Sequence, residues 1–145
     1  MPHDAQYEIS FFRHISDRIL RRIRKLSKKM ERLRSVLDRR MSEQSCLVLC
    51  VTHMAVLSEK AFSHNPDMRV VSLSRRFVSR LRVLSSSLVN GDLESITDKD
   101  LVSPILLTHS RLFKAAMQSR QRIDLDPALL ENLKLAAISV LGNEI

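Results

Sequence analysis

Apolar residues recur at threes and fours along the first quarter of the chain. Ile9, Phe12, Ile19, Ile23, Leu26, Met30, Leu33 and Leu37 form one seam, interrupted only at Ser16. No Gly or Pro breaks this stretch, so the spacing predicts one helix from about Ala5 to Met41. The next segment, Cys46 to Leu57, is apolar nearly all round, as the central helix of a bundle is. Ser42 is its expected N-cap, and a helix over about 43–63 follows, although nothing at that junction forbids continuity with the first. Ser63 to Asp67 reads as a break, because Pro66 disfavours helix at Asn65.

A second seam, Val70, Leu73, Phe77, Leu81, Leu84 and Leu88, predicts a third helix over about 67–89. Asn90-Gly91-Asp92 then reads as its stop, with Asn90 or Gly91 suited to a left-handed cap. Residues 93–102 are ambiguous, with one short helical turn as the reading. Ser103-Pro104 and Asp126-Pro127 each read as an N-cap followed by the first helical residue. They open helices over about 104–121 and 127–141, the last ending on Gly142.

Composition supports this reading. The 145 residues include only two Gly, four Pro, no Trp and one Tyr, too few turn and aromatic residues for a sheet protein. The expectation is an all-α helical bundle of four to five helices in a single domain, led by one long basic amphipathic helix. Apolar and charged fractions of 44% and 28% are those of a soluble globular protein. Met1 to Ser10 carries Asp4 and Glu8 and has no signal-peptide core, and the apolar run at 46–57 is shorter than the ~20 residues of a membrane span. Two cysteines make no secreted framework. An intracellular protein, cytoplasmic or nuclear, without a transmembrane segment, is expected.

Charge adds the clue to function. The net charge of +8 is concentrated: residues 1–42 hold 12 Lys/Arg against 5 Asp/Glu, and residues 67–90 hold 5 against 1. Arg18, Arg21, Arg22, Lys25, Lys28, Lys29 and Arg32 recur at helical spacing on the back of the first helix, with Arg39 beyond them. On one helix, Arg18 to Arg39 would make a strip about 30 Å long. Arg75, Arg76 and Arg80 belong to the third helix, and the two helices would form a joint cationic face if they were neighbours. Local pairs such as Asp17 with Arg13 or Arg21 neutralise only part of this charge.

These eleven residues are therefore the candidate nucleic-acid-binding set. They would bind the phosphate backbone independently of sequence, since no Asn or Gln shares the strip for base readout. DNA and RNA are not distinguished. The alternative is a protein-interaction module, an adaptor, chaperone or regulatory inhibitor, docking on an acidic or apolar partner. That alternative predicts an exposed apolar groove beside the first or fifth helix. An anionic membrane surface is a third, weaker candidate partner.

The seam does not favour a parallel zipper. With Ile9, Ile23, Met30 and Leu37 at heptad position a, the charged flanks are Arg13, Arg22, Lys29 and Arg34, all basic. Packing against helices two and three is expected instead, with antiparallel homo-oligomerisation left open.

Candidate chemistry is sparse. Cys46, Cys50 and His53 share one side of a helix and offer three of a zinc site's four ligands, with His64 or His109 as the fourth. Core packing is the favoured role for them. Asp92, Glu94, Asp98 and Asp100 lack the EF-hand pattern and read as capping or loop acids. "RRFVS" at 75–79 looks like a kinase site, but on a helix with Phe77 buried it would be poorly accessible. Two glycines cannot build a P-loop or dinucleotide turn, and no GxSxG or HExxH occurs. A non-enzyme without cofactor or metal is expected.

Overall fold

A computed structural model describes residues 5–29, 37–90, 98–119 and 121–142. It is all-helical, with no strand among the described residues. The α-helices are α1 (Ala5–Lys29), α2 (Leu37–Phe62), α3 (Met68–Val89), α4 (Ser103–Gln118) and α5 (Pro127–Leu141). A π-helical turn, Asp98–Val102, leads directly into α4.

The punctuation residues explain the later boundaries. Asp67 caps α3 by accepting from the Arg69 amide at 2.9 Å. Asp126 caps α5 by accepting from Ala128 and Leu129, with Pro127 at the first turn. Gly142 closes α5 at φ +67°, in the region that favours glycine, and its amide donates to Ile138 O at 2.8 Å.

Three expectations are corrected. Ser42 is not an N-cap, because α2 already begins at Leu37. The first helix is described to Lys29, and Leu37 to Met41 belong to α2; Met30 and Leu33 of the seam lie outside the described residues. Ser103 is helical rather than a cap, because the preceding π turn supplies helical backbone and leaves Val102 at the boundary. At the end of α3, Asn90 stays right-handed at φ −73° and its amide closes on Ser86 O at 3.0 Å; Gly91 lies outside the described residues.

Helix α2 is central, packed chiefly against α3 and α5, while α3 also lies against α4. By length and composition alone, Glu43–Phe62 could cross a membrane; here Leu47, Cys50, Val51, Met54, Leu57 and Phe62 of that stretch are buried in the core. Helix α1 rests mainly on α5, the π turn and α4, with a smaller contact to α2. The expectation that it packs on helices two and three is thus corrected, since α3 is not among its principal neighbours.

The core has an aromatic hub. Phe113 of α4 meets Phe12 of α1 edge-on at 5.5 Å and Phe62 of α2 at 5.9 Å. The His109 ring, one turn earlier, lies 4.6 Å from Phe113 and 5.5 Å from Phe77 of α3. This pair of rings on α4 thus gathers four helices. Edge-to-face pairs of this kind add about 0.5–1.5 kcal/mol beyond the area they bury.

The gap in the first seam is filled here. Ser16 is fully buried, and its hydroxyl donates to Phe12 O at 2.7 Å, the usual back-bond of a helical serine. With that proton committed, Oγ accepts from His109 Nε2 at 2.6 Å, which fixes the neutral Nε2–H tautomer. Burial pushes the His109 pKa down to about 4, with the nearby Arg13 and Arg21 charges adding to the effect and Asp17 opposing it. A polar residue sits in the apolar seam because it has a polar partner on the facing helix.

Candidate functional site

The described part of the basic strip lines a groove of 690 Å³ between α1 and the C-terminal turn of α5. His14, Asp17, Arg18, Arg21, Arg22 and Lys25 form one wall, and residues 138–142 form the other. Helical spacing places them so: buried Ile15, Ile19 and Ile23 turn inward, and the cations at 18, 21, 22 and 25 are left on the outer flank of the same turns.

The two walls differ in character. On α1, Arg21 is held by Asp17 at 2.9 Å, a pair one turn apart. Arg22 reaches across to Glu43 of α2 at 3.0 Å. Both pairs are partly exposed and worth no more than about 1 kcal/mol each, so they orient the guanidinium groups more than they stabilise the fold. Lys25 is exposed, and Arg18 is half-buried.

Helix α5 presents carbon instead. It buries only Leu133 and Ala137 fully, and leaves Ile138 40% exposed and Leu135, one turn earlier, 57% exposed. Ile138, Ser139, Val140, Leu141 and Gly142 form the groove wall, and Leu135 lies one turn before it, outside the lining.

The structure brings together four of the eleven sequence-predicted residues: Arg18, Arg21, Arg22 and Lys25. Lys28 and Lys29 fall in the last turn of α1, but their side chains lie outside the described residues, as does Arg32 entirely. Arg39 is on α2, and residues 30–36 between the two helices lie outside those described. The cations placed on this wall, Arg18 to Lys25, span about 10 Å of helix.

The α3 cations form a separate group. Arg75 and Arg76 are exposed, and α3 is not a principal neighbour of α1, so they do not extend the groove as a joint face. Arg80 is engaged: its guanidinium donates to Thr108 Oγ1 and, at 3.3 Å, to Pro104 O, tying α3 to the start of α4. It serves the helix–helix junction. Arg82 pairs with Glu59 of α2 at 2.8 Å.

Of the cysteine–histidine triplet only Cys50 belongs to the core, while Cys46 and His53 are half-buried. Cys50 is fully buried, and burial, followed by the neighbouring Cys46, pushes its thiol up to about 12, well away from the thiolate a metal needs. Neither suggested fourth ligand joins it: His109 faces Ser16, and His64 is exposed in the α2–α3 turn. Among the described residues no three His, Cys, Asp or Glu side chains gather as a metal site would require. Ser79 of the "RRFVS" segment is exposed, but Phe77 beside it is fully buried, so an enzyme could read this helix only after unfolding it.

The sequence alternative of an apolar groove beside the first or fifth helix named no residues, and it did not place the basic strip and α5 in one groove. The signal for the α5 side was composition: α5 carries Ile138 beyond the face needed to bury Leu133 and Ala137. Comparison with protein-family models, with curated proteins and with solved structures finds no match.

Proposed function

We propose that this chain is a non-catalytic protein-interaction module whose working surface is the α1–α5 groove, and that its partner presents an acidic segment. The observation that carries this reading is the mixed lining: Arg18, Arg21, Arg22 and Lys25 face the exposed carbon of α5 across one groove. Ile138, Val140 and Leu141 add nothing to a phosphate-binding surface, whereas they supply the apolar part of a protein contact.

Phosphate-backbone binding by nucleic acid is the second reading. It is favoured by the convergence of four cations on one concave strip and by the surplus of 12 Lys/Arg over 5 Asp/Glu in residues 1–42. The two readings separate in one titration. A random Glu/Leu copolymer and a short duplex of matched charge are each labelled and bound to the protein across a salt series. The protein reading expects the copolymer to stay bound at salt that strips the duplex, because its apolar contacts are not screened. Tight duplex binding with a steep salt slope, and no copolymer binding, would select the phosphate reading.

A further inference from the structure

Resting on that reading, we infer that the groove takes an acidic amphipathic α-helix, laid along α1 and α5 with its carboxylates toward α1 and its apolar stripe toward α5. The two walls carry the same period. His14, Arg18, Arg21 and Lys25 recur at threes and fours on one side, and Ile138 and Leu141 stand three residues apart on the other. A ligand with helical spacing of its own can satisfy both walls at once, as in helix-in-groove recognition. From His14 to Lys25 the cationic wall runs about 16 Å, room for three turns of such a ligand.

An extended segment fits less well. Its backbone N–H and C=O groups would face Ile138 and Leu141 without partners, and no sheet edge exists among the described residues to receive them. A helix satisfies its own backbone and offers only side chains. The molecule contains a small precedent: Glu43, on helix α2, already presents a carboxylate to Arg22 from a neighbouring helix at 3.0 Å.

Charge complementarity selects the occupant. An acidic helix is attracted to this wall, while a second copy of α1 would bring cation against cation.

The test uses the full chain and two labelled synthetic peptides of identical Leu/Glu composition. In one, the leucines fall on a single helical stripe; in the other, the order is scrambled so that no stripe exists. The phased peptide is expected to bind about tenfold more tightly than the scrambled one and to gain far-UV helicity on binding. In Ile138→Ser/Leu141→Ser that preference should vanish, and in Arg18→Glu/Arg21→Glu/Lys25→Glu both peptides should be lost, with each variant's far-UV spectrum confirming its fold. Equal affinity for the two peptides overturns the helical ligand and leaves the acidic-partner reading standing. Binding of neither peptide, with a duplex bound instead, overturns both.

Discussion

Helix α1 meets α4 and α5 on different terms. Toward α4 it is dry and interlocked: Phe12 sits edge-on to Phe113, and buried Ser16 is joined to His109 at 2.6 Å. Toward the end of α5 it opens into a groove of 690 Å³, with guanidinium groups on one lip and exposed Ile138 beside half-buried Val140 and Leu141 on the other. The same helical repeat builds both contacts. What differs is where the polar groups find their partners. At α4 the serine and histidine satisfy each other inside the protein, so the junction is committed to holding the fold. At α5 charge and carbon both face outward, which is how a binding surface differs from a core.

That contrast predicts unequal responses to substitution. The largest belongs to Phe113, which touches Phe12, Phe62 and His109 from a fully buried position. Phe113→Ala should cost about 3–5 kcal/mol by the lost transfer energy and the cavity left behind. Urea unfolding followed by circular dichroism would measure it. A loss under about 1 kcal/mol would mean that the hub is not what joins α1 to the bundle.

The next effect is a pH dependence. His109 titrates near 4 in the folded chain against 6.5 in the unfolded one, so below 6.5 the unfolded state binds the proton first. Stability contributed by neutral His109 is therefore intact above about pH 6.5, falls as pH drops toward 4, and levels off below it. The full loss is roughly 3 kcal/mol, because each pH unit between those two values is worth about 1.4 kcal/mol. Carboxylates contribute their own slope in this range, so the measurement is the difference between wild type and His109→Gln, whose amide can still donate to Ser16. The variant's unfolding midpoint should fall less steeply between pH 6.5 and 4. Parallel curves would show that the imidazole carries no such burden.

The same contrast shows what the sequence could and could not reveal. Elements whose ends are chemically marked were legible: Asp67, Asp126-Pro127 and Gly142 each act locally, through a cap or a φ angle, and need no knowledge of the rest of the fold. Ser103-Pro104 failed because the backbone before it was already helical, which a cap signal cannot report. The pause at Ser16 was visible as a gap in the seam, yet its meaning depended on a histidine far along the chain. His109 looked like a spare metal ligand for the same reason. Half of the groove was legible as a basic strip on α1, because charge periodicity is a property of one helix. That α5 would face it, and that α3 would not, depends on which helices become neighbours, and no single amphipathic pattern names its partner.

A smaller effect belongs to the cap that sets α5 in place. Asp126 satisfies the amides of Ala128 and Leu129 from a half-buried position. Asp126→Ala should cost about 1 kcal/mol and fray the first turn of α5. Amide exchange should quicken at Ala128 and Leu129 while the Phe113 region stays protected. Faster exchange throughout would mean that α5 does not open as a separate unit.

The smallest expected change in stability is at the groove itself, and it sharpens the comparison most. Ile138 is 40% exposed, and the Arg21–Asp17 pair lies at the surface with the arginine side chain 58% exposed. Neither side chain is enclosed, so Ile138→Ser and Arg21→Ala should each shift unfolding by less than about 1 kcal/mol. If both sites serve only the fold, nothing else should change. If they serve a ligand, the same two substitutions should weaken capture of a phased acidic helix while leaving the urea midpoint almost where it was. Residues of the α4 junction should do the reverse, lowering stability without altering the affinity of the molecules that remain folded. An Ile138→Ser variant destabilised by about 2 kcal/mol would place that side chain inside the core's energetics and dissolve the distinction between the two faces of α1.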